Sequence, residues 1–438
     1  MNSKNAFIRG TLFLTFAGIT SRFMGFFYRI FLANTIGAEG MGIYQLIFPI
    51  YSVCFSFCAS GIETAISKLT AEKLALGKSS EVFGVLKAGL SITLVLAVSC
   101  SLIIYNYAQP LSVFFLKEPR CTPLLRLLAI TIPFGTIQSC LCGYYFGIHK
   151  AGVPSIAQLV EQIFRTFSVF TLYQIFITNN IDISPALAGL GLIIGEFSSL
   201  LFTITCFSFS HKCTISTSDI CLLPYTKEIS ILAAPLTLSR ICINLLVSLE
   251  STMIPNALRL YGLDNSAALS IYGTLTGMAL PFILFPNALT SSISLMLLPA
   301  VSEFHAGGKL NALKKALTKI FSFCIVLGCI CLVFFLIFGD FLGIFIFSNQ
   351  TAGTFIKILA WICPFLYLNT TLTSVLNGLG RTNITFFTGI VSLFIRIIFI
   401  FFIIPKSGIQ GYLWGLLASQ LFTSIFSCFW LHPYFSNS

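Results

Sequence analysis

Of 438 residues, 56% are hydrophobic and only 9% charged, with a mean hydropathy of +0.94, which excludes a soluble globular protein and implies a polytopic membrane protein. The formal net charge of +11 resides mainly in short loops between apolar runs, where it fits orientation in a membrane and not nucleic-acid binding. Fifteen cysteines, mostly isolated within apolar runs, have no histidine or carboxylate at ligand spacing, so they read as packing residues rather than a metal centre.

Windows of about twenty apolar residues suffice to cross a bilayer core. In chain order they predict twelve transmembrane helices, the first six at 11–32, 42–67, 83–107, 124–148, 154–176 and 184–209. After the polar stretch 211–227 come 229–254, 267–298, 313–338, 355–378, 383–404 and 410–431. Lys4 and Arg9 before the first window resemble a secretion signal, but no small-x-small cleavage site precedes Arg22 and the run continues to Leu32, so it is read as a retained span. The N-terminus and the loops on its side hold fourteen lysines and arginines against six in the opposite loops, which predicts both termini in the cytoplasm.

The chain repeats itself. Leu124-Leu125-Arg126-Leu127-Leu128-Ala129 aligns with Phe355-Ile356-Lys357-Ile358-Leu359-Ala360 at an offset of 231. The same offset joins Pro133 to Pro364, Gly147 to Gly378 and Arg165 to Arg396. Ser21-Arg22 in the first span corresponds to Ser239-Arg240 in the seventh, and Gly191 and Glu196 in the sixth to Gly415 and Gln420 in the twelfth. Two parallel six-helix lobes follow, 1–210 and 228–438, joined by a cytoplasmic linker at 211–227. An even number of spans gives both copies the same membrane direction, so a pseudo-two-fold axis along the membrane normal is expected, with a substrate site between them.

Charges inside the spans carry the functional signal. Arg22 and Arg29 are seven residues apart and share one helix face. A lone arginine at the bilayer centre costs about 2.5–3.5 kcal/mol even on the permissive insertion scale, so that face needs water, a partner or an anionic ligand. Glu161 and Arg165 stand four apart in the favourable order and form an expected structural pair. Glu250 is placed near the outer end of the seventh span, close to the interface. Glu63 and Glu196 either balance arginines or carry a coupling ion. Arg22, Arg29, Arg240 and Arg396 are left as candidate phosphate ligands, since guanidinium binds phosphate bidentately and stays charged. Pro281 and Pro286 should break the eighth span, either as a hinge for alternating access or as a fixed kink. No nucleophile elbow, phosphate loop or metal-ligand cluster is present in the sequence, so a transporter is expected rather than an enzyme.

Three stretches resemble a known family. They are Ser21-Arg22-x-x-Gly25 with Arg29 and Gly37-Ala38-Glu39-Gly40-x-Gly42-x-Tyr44; Gly61-Ile62-Glu63-Thr64-Ala65-Ile66-Ser67-Lys68; and Gly277-Met278-Ala279-Leu280-Pro281-Phe282 with Pro286 and Leu298-Pro299-Ala300-Val301-Ser302-Glu303. Together they are similar to the stage V sporulation protein B family of the multidrug/oligosaccharidyl-lipid/polysaccharide (MATE-like) superfamily. The resemblance implies alternating access between two lobes and translocation of polyprenyl-diphosphate-linked saccharide across the bacterial cell membrane, for wall, spore-cortex or surface-polysaccharide assembly. It also implies cavity arginines, a role carried to Arg22 and then Arg29. Glu63 departs from the proline common at that place, and twelve spans depart from relatives with two more.

No cofactor is expected. Coupling to membrane potential, H+ or Na+ is left open, as is partnership with wall-synthesis enzymes. Membrane lipids and an anionic lipid-linked saccharide are the expected partners. The competing expectations are a cation-coupled multidrug exporter of the same superfamily and a non-transporting membrane scaffold.

Overall fold

The computed structural model describes residues 3–210, 222–306 and 310–431. Residues 211–221 of the expected linker, Lys212 among them, and Lys309 lie outside the described residues.

Among the described residues nearly all of the chain is helical. The first helix, α1, runs Ser3–Phe55 and is broken at Gly37, whose φ of 72° suits glycine but strains an L side chain. A π-helical turn, Ser56–Ser60, leads into α2, Gly61–Ala75. There follow α3 Ser79–Asn106, α4 Thr122–Gly147, α5 Gly152–Thr178, α6 Ala186–Ser210 and α7 Leu223–Leu260. The rest comprises α8 Asn265–Gly273, a π-turn Thr274–Ala279, α9 Leu280–Leu284, α10 Asn287–Ala306, α11 Leu310–Phe347 and α12 Gln350–Ala360. The last three long helices are α13 Cys363–Gly378, α14 Thr382–Phe402 and α15 Ile409–Leu431.

Nine helical stretches among the described residues are long and apolar enough to cross a membrane, and the bent pair α12–α13 makes a tenth. The difference from twelve windows has two sources. The stretch Phe16–Ala75 holds the first two predicted spans in 60 continuous residues, about 90 Å of helix. Helix α5, whose 27 residues are long enough to span, carries Glu161, Gln162 and Arg165 in its middle, which lowers its apolarity. The lipid-facing character is plainest in α11, where Phe334, Ile337, Phe341, Ile344 and Phe345 are all exposed; an apolar surface of that extent is stable only against hydrocarbon.

The proline breaks can be compared between the repeats. Pro133 sits inside an unbroken α4, whereas its counterpart Pro364 begins α13 after a 57° bend at Trp361–Ile362. A proline in the first turn loses no hydrogen bond, so the chain breaks just before it. The eighth span is interrupted as well: Pro281 follows the wide π-turn Thr274–Ala279, and the helix stops at Leu284 before Pro286. The Tyr367 hydroxyl donates to the Ile283 carbonyl at 2.8 Å, supporting the backbone just ahead of that break.

The chain forms two compact units. The first contains Met1–Tyr28 and Ile43–Ser248, the second Arg29–Gly42 and Leu249–Ser438. In the first, Ile66, Val85, Leu86, Leu141, Tyr145 and Ile229 form the centre of a core drawn from α2, α3, α4 and α7. In the second, Leu297, Val301, Leu372, Val375 and Leu376 pack α10 on α13. Lipid is as apolar as these side chains, so close fit rather than water exclusion holds such helices together. Backbone proximity at Gly42 and Gly273 illustrates this in the second unit. A Cβ on Gly42 would lie 2.2 Å from the Leu269 carbonyl oxygen, and one on Gly273 would lie 2.0 Å from that of Ala38.

Candidate functional site

Three groups of ionisable side chains in the first unit lie at positions singled out by the sequence. The first is Arg22 on α1. It is exposed, and no hydrogen bond or ion pair joins it to another described residue. About 22 Å of helix separates it from the break at Gly37, so it is well inside an apolar stretch rather than at a helix end. Three residues on, Gly25 faces the Gln162 side-chain oxygen on α5, at 3.9 Å from the place a Cβ would occupy. That oxygen is buried with no donor among the described residues.

The second group is a buried charge cluster where α4, α5 and α6 meet the second span. Arg165 pairs with Glu161 one turn earlier on α5, and its Nη2 lies 3.9 Å from Glu196 Oε1 on α6. The Tyr51 hydroxyl donates to the same Glu196 oxygen at 3.2 Å. Small residues make room for these groups. A Cβ on Gly135 would sit 2.8 Å from the Tyr51 hydroxyl and 3.1 Å from Glu196 Oε2, and one on Gly195 would lie 3.1 Å from Arg165 Cβ. Two carboxylates thus face one guanidinium, an arrangement with room for one more positive charge, a proton or a monovalent cation.

The third group surrounds the π-turn. Arg240 Nη1 donates to the Ser60 carbonyl at 2.9 Å and to the Ser60 hydroxyl at 2.7 Å, while Nη2 reaches Thr64 Oγ1 at 3.4 Å. One turn further along α7, Asn244 donates to the Ser56 hydroxyl at 2.5 Å and to the Ser52 carbonyl at 3.3 Å. A π-turn leaves carbonyls without their usual helical donors, and these two side chains supply replacements. Glu63, on the next turn, accepts from Ser139 at 2.5 Å and lies within the electrostatic reach of Arg240.

The second unit holds Arg29, which is exposed, and a separate ion pair. Arg396 Nη1 lies 3.0 Å from Glu250 Oε1, and the Tyr412 hydroxyl donates to that same oxygen at 2.7 Å. Arg396, read from the sequence as a phosphate ligand lacking a partner on its own helix, is therefore neutralised by a carboxylate from α7. Glu250 is buried instead of reaching the interface, because α7 continues for ten residues beyond it to Leu260. Arg165 and Arg396, equivalent in the repeat, each face a carboxylate that accepts from a tyrosine hydroxyl, but from different helices. Tyr51, Tyr412 and the π-turn were not visible in the sequence. The nearest signal was Gly135, a small residue opposite two large polar ones.

Residues 7–305, more than half of the chain, match the family described as polysaccharide biosynthesis protein. The chain belongs to this family. Among curated relatives, stage V sporulation protein B of Bacillus subtilis (strain 168) is 30% identical over 417 residues, covering 93% of this chain and 80% of that protein. The lipid II flippase MurJ of the same organism is 22% identical over 431 residues, covering 91% and 77%. Among solved structures, an inward-facing multidrug resistance MATE family transporter of the MOP superfamily aligns with a TM-score of 0.72 at 12% identity, over 95% of this chain and 94% of that one. As a polysaccharide biosynthesis protein with this fold, the chain is a multi-pass membrane protein.

Proposed function

We propose that the protein is a flippase for polyprenyl-diphosphate-linked saccharides, lipid II-like or a polysaccharide precursor, working by alternating access across the bacterial cell membrane. The observation that carries this is Arg22, an exposed guanidinium with no partner among the described residues, deep in an apolar helix. Family membership and similarity to a lipid II flippase supply the substrate class. In this reading Arg22 holds the diphosphate, Arg29 and Arg240 assist, and Arg396 serves the ion pair with Glu250. The lobes are 1–210 and 228–438, joined by 211–227, with both termini cytoplasmic. Pro281 and Pro286 supply the hinge, and wall-synthesis enzymes receive the product. Glu196, with Glu161 beside it, is the coupling-ion site, and Glu63 balances Arg240.

A second reading, a cation-coupled multidrug exporter, is favoured by one observation, the excess of carboxylate around Arg165. Paired assays separate the two. In proteoliposomes and in drug-challenged cells, a flippase loses lipid translocation with Arg22→Ala and gives no drug resistance. An exporter loses resistance with Glu196→Gln and tolerates Arg22→Ala.

A further inference from the structure

An apolar groove of about 320 Å³ runs along α7 in the first unit. We propose that it holds the isoprenoid tail of the lipid-linked substrate and leads to Arg240, which assists in holding the diphosphate; this rests on the flippase reading above.

The groove follows from side-chain size. Helix α7 presents Ser230, Ala233 and Ala234, while Phe57 and Ile62 of the second span and Leu96 of α3 form the walls. Gly61 lets the helices close beneath it: a Cβ there would lie 2.0 Å from Thr237 Oγ1 and 2.7 Å from the Ala233 carbonyl oxygen. From Ser230 to Ile241 the groove follows eleven residues of helix, roughly 16 Å, about half of a hydrocarbon core of about 30 Å. Its lining is almost wholly apolar, which suits a chain of branched hydrocarbon units with no polar atoms to satisfy.

Arg240 follows the lining residues Ala233 and Thr237 at helical spacing on α7, beside Ile241 at the groove's end, so it stands next to the groove rather than among its lining side chains. Its contacts to Ser60 and Thr64 use three of five donor hydrogens, leaving two for an anion. Depth selects the occupant. Arg240 is seventeen residues, about 25 Å, from Leu223 and twenty, about 30 Å, from Leu260. A bilayer phospholipid keeps its phosphate at the interface and cannot bring it to that depth. A lipid whose diphosphate is drawn through the protein can.

The test uses the purified full-length chain in detergent, with a polyprenyl diphosphate carrying a diazirine in its tail and a short-chain isoprenyl diphosphate as comparison. In the wild type, crosslinks should map to peptides containing Phe57, Leu96 and Leu238. Ala234→Trp, at an exposed position, should lower crosslinking at least tenfold and leave short-chain binding within twofold, which also certifies its fold. Arg240→Ala should weaken both ligands. Crosslinks elsewhere, full crosslinking of Ala234→Trp, or equal displacement by phosphatidylglycerol would overturn the groove assignment and leave the flippase reading standing. If the wild type bound neither diphosphate, the flippase reading itself would fail.

Discussion

Removing the carboxylate from the Glu250–Arg396 pair tests whether Arg396 is structural. The Glu250 side chain is 5% exposed and that of Arg396 is 22% exposed, at 3.0 Å. Arg396 Nε already lacks a partner among the described residues, so Glu250→Gln leaves a mostly buried guanidinium with little compensation. Breaking a buried pair from one side costs about 3–5 kcal/mol, whereas replacing both partners with apolar groups is often neutral or stabilising. For a unit of about 200 residues, each kcal/mol shifts the midpoint by roughly 2–4 °C. Glu250→Gln should therefore lower the thermal midpoint by about 6–20 °C, and Glu250→Leu/Arg396→Leu should recover most of it. The assay is fluorescence-detected size exclusion after heating in detergent at one fixed rate, since unfolding of such proteins is irreversible. An unchanged midpoint for Glu250→Gln, or a double variant no better than the sum of the singles, would refute the coupling.

Other substitutions probe the first unit. Arg22→Ala should reduce translocation at least tenfold and leave the thermal midpoint within about 2 °C, because no described residue relies on Arg22. Arg22→Lys should retain part of the activity, being charged but unable to fork onto phosphate. Gly135→Ala should destabilise by about 1–3 kcal/mol, since its Cβ would press on the Tyr51 hydroxyl and Glu196 from 2.8 and 3.1 Å. In a thermal-shift series, an unaltered midpoint would count against that crowding. Glu196→Gln should abolish the dependence of transport on the coupling cation. Flux measured with and without Na+ or a pH gradient, and found equally ion-dependent in the variant, would remove Glu196 from that role.

How much of this was legible depended on distance along the chain. Hydropathy marks most spans because lipid demands it of each segment independently, and it is weakest in α5, where Glu161, Gln162 and Arg165 interrupt the apolar run. The Glu161–Arg165 pair follows from four-residue spacing on a single helix. Glu196 and Glu250 are different: each meets its arginine only when separate helices pack, and no local rule foretells which. Window edges also misjudged Glu250, because a helix persists past the point where its apolar run ends. Arg240 shows a further limit. Its equivalence to Arg22 is plain in the repeat, yet one is bonded to a π-turn and the other has no described partner, a difference set by the local backbone at Ser56–Ser60. The same holds for Pro133 and Pro364, of which only the second follows a broken helix.

Translocation in a purified system bears most directly on the central claim. The full-length protein would be reconstituted into vesicles carrying a polyprenyl-diphosphate-linked saccharide, and the leaflet distribution read by a membrane-impermeant sugar-modifying enzyme. The flippase account predicts that the wild type exposes the inner pool within minutes, while vesicles holding Arg22→Ala/Arg240→Ala behave as protein-free vesicles do. Equal exposure by wild type and double variant would contradict the arginine mechanism, and no exposure by the wild type would contradict the function.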